Sequence, residues 1–140
     1  MHFSHPRTIC FADTDGAGVV YFAQIFSICH EAYEASLLAQ GINLRDFFSN
    51  YGIVAVPIVH AEASFRQPMF CGDRITITLE PQQLSSDSYL IKYEIHKENL
   101  ESLELQLLAQ AQTKHICIDT QSRSRRELPT YLNQWLTNLK

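Results

Sequence analysis

The chain has 140 residues, enough for one ordinary domain and too few for two, and a single domain over residues 1–140 is expected. With 46% hydrophobic and 19% charged residues, 5 Gly and 5 Pro, the composition excludes a disordered or collagen-like chain. Lys and Arg number 11 against 15 Asp and Glu, for a net charge of -4, so there is no surplus of cations to neutralise a phosphate backbone and nucleic acid is not the expected partner. Cys10, Cys29, Cys71 and Cys117 are widely spaced without a Cys-x-x-Cys pair, which argues for reduced thiols and against a zinc knuckle or redox dithiol. The start, Met1-His2-Phe3-Ser4-His5-Pro6-Arg7, has no apolar run behind a basic segment, so the mature chain is expected to begin here. The uncharged stretch from Gly16 to His30 is too short to span a membrane and contains Gln24 and Ser27, and a soluble cytoplasmic protein is expected.

In chain order, Arg7 to Ala12 reads as a first strand, with Ile9 and Phe11 on one side, ending at the polar turn Asp13-Thr14-Asp15-Gly16. From about Tyr21 to Gln40, Phe22, Ile25, Phe26, Cys29, Ala32, Tyr33, Ser36 and Leu37 recur at helical spacing, with Gly41 as the C-terminal stop. Gln24, Glu31 and Glu34 mark the other face, His30 lies near the boundary, and Ile28 and Leu38 widen the apolar part. Leu44 to Tyr51 is a short ambiguous piece, read as a helical turn, ending at Gly52. Val54 to Arg66 reads as one strand, with Val59, Ala61, Ala63 and Phe65 facing one way and Ile58, His60, Glu62, Ser64 and Arg66 the other. Alternation marks Arg74 to Glu80 and Ser88 to Lys97 as half-buried strands, and Leu103 to Asp119 reads as one long curved strand because Thr113 to Ile118 is rich in branched residues. Leu128 to Leu139, with Pro129 near its start, is an amphipathic terminal helix. A strand, a long helix and then strands joined by short turns is an α+β layout: a largely antiparallel sheet with the helix on one face. Exposed edges of so small a sheet favour pairing between copies.

The chemistry gathers in Phe11-Ala12-Asp13-Thr14-Asp15-Gly16-Ala17-Gly18-Val19-Val20-Tyr21-Phe22. Glycines let a backbone approach a ligand, the first amides of a helix are free to donate to an oxyanion, and a nearby carboxylate could attack a carbonyl or activate water beside it. The plainer alternative is that Asp13 and Asp15 cap a turn or the helix. Gly16-Ala17-Gly18 is no dinucleotide fingerprint, since a third Gly and a βαβ unit are missing. His2, His5, His96 and His115 show no metal-ligand spacing, and there is no Gly-x-Ser-x-Gly elbow.

The run from Asp13 to Phe22 resembles the signature of the 4-hydroxybenzoyl-CoA thioesterase family of hot-dog proteins, roughly Asp-x-Asp-x-x-Gly-x-Val-Tyr-Phe. The resemblance continues through His30-Glu31-Ala32-Tyr33-Glu34, Val56-Pro57-Ile58-Val59-His60-Ala61 and Cys71-Gly72-Asp73-Arg74. It is closest to the cyanobacterial subgroup acting on 1,4-dihydroxy-2-naphthoyl-CoA in phylloquinone biosynthesis. It implies a hot-dog fold, a curved antiparallel sheet wrapped around one long helix, and hydrolysis of an aromatic acyl-CoA. By the same resemblance Asp15 is the catalytic carboxylate and the backbone N–H of Phe22 polarises the thioester carbonyl. Gly18 and Tyr21 then belong to the substrate-binding part of the motif. A helix N-terminus favours an ionised carboxylate, which suits attack to form a mixed anhydride, with general-base activation of water left open.

His30 falls where the family contacts the acyl ring, and a hydrogen-bonded core or interface histidine is the equal alternative. His60 and Ser64 are candidates for the acyl pocket and Arg66 for a CoA phosphate, against the alternative of a solvated strand face, which is preferred for Glu62. Arg123-Ser124-Arg125-Arg126 is a basic run that fits either a CoA phosphate or, more commonly, a solvated turn. The resemblance further implies a homodimer or homotetramer with each site built across a dimer interface, and no metal or other cofactor, coenzyme A being part of the substrate. The competing readings are a 4-hydroxybenzoyl-CoA or short-chain acyl-CoA thioesterase, and a hot-dog module that binds an acyl thioester without turnover.

Overall fold

Strand β1 spans Phe3–Thr8 and pairs antiparallel with β4 (Arg74–Ser85), from Phe3 opposite Leu79 to Thr8 opposite Arg74. The computed structural model describes residues 2–49 and 51–139; Met1, Lys140 and Asn50, the last within the expected Leu44 to Tyr51 piece, lie outside the described residues. β1 is an edge strand, so Pro6, which has no N–H to donate, is accommodated. The strand stops earlier than the expected Ala12. A 3-10 turn covers Phe11–Asp13, because the Asp13 carboxylate takes the Cys10 N–H at 2.7 Å and the Asp13 N–H turns back to the Cys10 carbonyl. Ile9 therefore enters the core while Phe11 points into solvent.

Helix α1 (Gln24–Ala39) buries Ile25, Ile28, Cys29, Ala32, Tyr33, Ser36 and Leu37, the stripe that helical spacing predicts, with Leu38 left exposed. Each of its large aliphatic side chains removed from water contributes about 1.5–3 kcal/mol. The helix ends in a Schellman motif, with Ile42 N–H donating to the Leu37 carbonyl and Gly41 N–H to that of Leu38, and Gly41 supplies the left-handed φ of +80°. Its start is Gln24 and not Tyr21, since Tyr21 spends its N–H on the Asp13 carbonyl. Helix α2 is a single turn, Leu44–Phe47, capped by the Asn43 side chain.

The expected strand from Val54 to Arg66 is two strands, β2 (Val54–Ala55) and β3 (Ile58–Phe65), split at Pro57. After β5 (Ser88–Glu98), the long C-terminal strand divides in the same way at Cys117 into β6 (Leu105–Ile116) and β7 (Ile118–Asp119). β2 and β7 leave the main sheet together as a two-stranded ribbon, and the five-stranded sheet runs in the order β1-β4-β5-β6-β3. All its pairings are antiparallel. Its inner face places Ile75, Ile77 and Leu79 of β4, Tyr89, Ile91, Tyr93 and Ile95 of β5, and Ala109 and Ala111 of β6 in one core with α1. Helix α3 (Thr130–Asn138) adds Leu132, Trp135 and Leu136, and Trp135 Nε1 donates to Ser36 Oγ on α1 at 3.1 Å.

β3 is the second edge of the sheet. Ala61, Ala63 and Phe65 stand opposite buried Thr113, Ala111 and Ala109, so they share the face that receives α1. A bulge between Ile58 and His60 shifts the pattern by one residue, and Ile58, expected outside, stands opposite buried His115 instead of Val59.

Candidate active site

The Asp13 to Tyr21 segment closes on itself as a small hairpin. Tyr21 N–H donates to the Asp13 carbonyl, Thr14 pairs with Val20, and Asp15 N–H donates to the Val19 carbonyl. The tip turns because Gly18, at φ +80°, brings its N–H back to the Asp15 carbonyl at 3.0 Å. Val20 N–H reaches the Met69 carbonyl and Val19 pairs with Phe70, so the hairpin is held on the chain just before β4.

Two residues apart, Asp13 and Asp15 have opposite surroundings. Asp13 is 3% exposed and receives the Arg7 guanidinium on both oxygens, at 2.8 and 3.1 Å, as well as the Cys10 amide. Burial opposes its charge, but the Arg7 and Cys10 hydrogen bonds and the Arg7 charge outweigh burial and hold its pKa below the usual carboxylate value. Asp15 is exposed. One of its oxygens, Oδ1, accepts the Ala17 N–H at 2.9 Å, which orients the carboxylate.

Asp15 borders a concavity of about 390 Å³ together with Phe22, Phe65, Arg66, Pro68 and Met69. Phe22 lies just before the helix, its carbonyl accepting Ile25 N–H, and its own N–H has no partner among the described residues. This corrects its expected place inside the helix while keeping its amide at the positive end of the α1 dipole. Tyr21 is half exposed, its ring against that of Phe22 with centroids 4.8 Å apart. Of the expected residues, Asp15, Phe22 and Arg66 line this concavity, while Gly18 and Tyr21 belong to the adjoining hairpin and do not line it. The contribution of Pro68 and Met69 depends on the hairpin docking on them, for which periodicity carries no signal.

The other expected residues are elsewhere. His60 and Ser64 do not join this concavity: they stand opposite Lys114 and Gln110 on the sheet face away from α1, a correction that follows from the two-residue period of β3. His60 Nε2 lies 3.5 Å from Glu62, and Ser64 borders an outer hollow with Lys92 and Glu94. Arg66 lines the Asp15 concavity, but its guanidinium also donates to Gln110 Oε1 at 3.2 Å. In the basic run, Arg125 is paired with Asp87 and Arg126 with Asp119, as in a surface turn.

His30 is partly buried on α1, and its Nε2 is buried without a partner among the described residues. Burial lowers its pKa, and the Glu34 charge opposes that shift. His115, which sequence spacing sets aside as a metal ligand, is given no other role by the sequence. It is fully buried, stacked on Tyr89 with centroids 4.8 Å apart and 2.8 Å from Thr113 Oγ1 through Nε2, while Nδ1 lacks a partner among the described residues. Tyr33 contacts the His115 ring and shares a hydrogen bond with Tyr89 through the two hydroxyls.

A larger concavity of about 890 Å³ lies between Gln40 to Asn43, α2 and Leu128 to Tyr131, and shares no lining residue with the Asp15 site. It sits at the carbonyl end of α1, where an oxyanion is disfavoured.

Residues 9–136 match the model of the thioesterase-like superfamily. The chain belongs to this superfamily. Within it, the chain is 50% identical to a 1,4-dihydroxy-2-naphthoyl-CoA hydrolase of Nostoc punctiforme, over 97% of this chain and 87% of that protein. It is 48% identical to one of Trichodesmium erythraeum over 100% of this chain and 99% of that one. The crystal structure of a 1,4-dihydroxy-2-naphthoyl-CoA thioesterase from Synechocystis superposes with a TM-score of 0.89 at 40% identity, covering 99% of this chain and 98% of that chain. The hot-dog fold is that of this superfamily: an antiparallel sheet, open at β1 and β3, packed on one long helix. In this superfamily member, Asp15, with an oriented and solvent-facing carboxylate, and Phe22, whose amide is unengaged just before the helix, line one concavity. Among the described residues no helix is long and apolar enough to cross a membrane.

Proposed function

We propose that this protein hydrolyses an aromatic acyl-CoA thioester, foremost 1,4-dihydroxy-2-naphthoyl-CoA, to the free acid and CoA in phylloquinone biosynthesis. It acts in the cytoplasm, as a homo-oligomer, with no metal or cofactor of its own. The observation that carries the reading is that exposed Asp15 and Phe22, whose amide is unengaged, line one concavity. The substrate named for the relatives at about half identity supports the choice of acyl group.

With the thioester carbonyl against the Phe22 N–H, an Asp15 oxygen attacks the carbonyl carbon and the negative charge passes to the carbonyl oxygen, where the amide and the helix dipole stabilise it. Collapse breaks the C–S bond and releases the CoA thiolate, a good leaving group that needs little protonation. Water then cleaves the mixed anhydride, returning the acid and the Asp15 carboxylate. Gly18 and Tyr21 shape the approach to the thioester, Arg66 meets the CoA phosphates, and His30 contacts the acyl ring.

The test is free-thiol release from 1,4-dihydroxy-2-naphthoyl-CoA, 4-hydroxybenzoyl-CoA and a short aliphatic acyl-CoA, with the wild type and Asp15→Asn. Preference for the naphthoyl ester and a fall in kcat of at least about 10²-fold in the variant are expected. Turnover that survives Asp15→Asn removes Asp15 from the chemistry. Tight binding with no thiol release from any ester would make the protein a binding module.

A further inference from the structure

Arg7 ends no pocket and touches no group assigned to the reaction, yet its side chain is 13% exposed and all of its donors in hydrogen-bond range are directed at two carboxylates. Its Nη1 and Nη2 fork onto Asp13 at 2.8 and 3.1 Å, and its Nε donates to Glu31 Oε2 at 2.8 Å. Asp13 is the root of the hairpin that carries Asp15: its carbonyl takes the Tyr21 N–H, so the hairpin starts and finishes on this residue. Glu31 belongs to α1, the helix whose first turn follows the Phe22 amide. One guanidinium therefore joins the loop bearing the carboxylate to the helix that follows the Phe22 amide.

We infer that Arg7 is a positioning residue that fixes the Asp15 carboxylate relative to the Phe22 amide, an inference that rests on the thioesterase reading above. The planar fork makes this possible, because two parallel bonds to Asp13 fix the plane in which Nε must then meet Glu31. Lysine cannot reproduce that plane with a point charge. Burial disfavours the Arg7 charge, but the hydrogen bonds and charges of Asp13 and Glu31 overcome it and raise its pKa, so the clamp stays charged over the working pH range. Its reach is also specific. The Arg7 to Glu31 contact ties β1 to the second turn of α1, so its loss loosens that tie without opening the core beneath β5.

The test compares Arg7→Lys and Glu31→Gln with the wild type and Asp15→Asn, by steady-state thiol release and by amide hydrogen exchange. Arg7→Lys is expected to lower kcat by about tenfold to a hundredfold, because a misplacement of the order of an ångström has that effect, with KM held. Glu31→Gln, which leaves the Asp13 fork intact, gives a smaller fall in kcat with KM again held. Exchange at the Asp15 and Tyr21 amides, both hydrogen-bonded within the hairpin, accelerates in Arg7→Lys while the amides of β5 stay protected. Unchanged kcat in folded Arg7→Lys overturns the inference, and so does a loss of activity that only follows loss of folded protein. Full activity in Asp15→Asn instead overturns the thioesterase reading of Asp15, and the exchange data then still decide whether Arg7 holds the hairpin.

Discussion

His115 is neutral and wholly buried between Tyr89 and Tyr33, and burial first, then the nearby His30, push its pKa from 6.5 down to about 3. A base whose folded pKa is lowered takes up its proton in the unfolded chain before it does so in the folded one. Its contribution is thus complete above the unfolded value of 6.5 and is lost as pH falls from there towards 3. At pH 4.5, two units below the unfolded value, the loss is about 3 kcal/mol, and at complete titration about 5 kcal/mol. Against a domain stability of about 5–15 kcal/mol, the first figure alone lowers Tm by roughly 10 °C. Thermal unfolding followed by circular dichroism between pH 7.5 and 4.5, on the wild type and His115→Phe, measures it. The variant has a lower Tm at neutral pH, because Thr113 loses its partner, but it should lose much less Tm between pH 7.5 and 4.5 than the wild type. His30, itself lowered by burial, adds to the slope in both proteins. Asp13, whose pKa is lowered from 3.8, contributes stability above that value and loses it only in more acid solution, so its window is separate. Equal Tm losses in the two proteins would refute the argument. Below about pH 5.5 a falling rate therefore reports the core as well as the site.

Two further substitutions separate backbone from packing effects. Gly18→Ala places a side chain at φ +80°, with no atom within 4 Å of the new Cβ, so a loss of about 1 kcal/mol and a lower kcat would come from backbone strain alone; Gly16→Ala, equally open but without the positive φ, should leave Tm nearly unchanged. Equal effects of the two changes in urea and thiol-release assays would contradict this. Leu37→Ala, at a fully buried position that also closes the end of α1, should cost about 2–5 kcal/mol in urea denaturation, and a cost below about 1 kcal/mol would show that the core collapses around it.

Elements whose own periodicity reports their burial were legible in the sequence. The stripe from Ile25 to Leu37 is the buried face of α1, and the alternation of Arg74 to Glu80 and Ser88 to Lys97 lies within β4 and β5. The breaks at Pro57 and Cys117 were not, because they depend on two strands leaving the sheet together, and a single strand's pattern does not contain its partner's path. β3 shows the difference most clearly. Its alternation correctly separates Ala61, Ala63 and Phe65 from His60, Glu62 and Ser64, but alternation alone does not say which face borders the Asp15 concavity, and the register turns His60 and Ser64 away from α1. The burial of His115 was not legible for the complementary reason: a polar residue on an inward position interrupts the apolar pattern, and the Tyr89 and Thr113 contacts that accommodate it are tertiary or lie on the same strand face.

The Asp-x-Asp pair shows why a motif can identify a site and still leave its chemistry unassigned. Asp13 accepts three hydrogen bonds, two from a guanidinium that is itself nearly buried, so its lone pairs are committed and its charge is balanced. Such a carboxylate is a poor nucleophile but a firm anchor, because removing any one donor leaves a buried charge under-compensated. Asp15 has the complementary arrangement, with one oxygen oriented by the Ala17 amide and the carboxylate open to solvent. A nucleophile needs that under-coordination, and an anchor could not tolerate it. The two environments are set through Arg7, which engages Asp13 6 residues away and Glu31 24 residues away, and therefore exchanging the environments of the two acids would require moving the strand and the helix, not editing the motif.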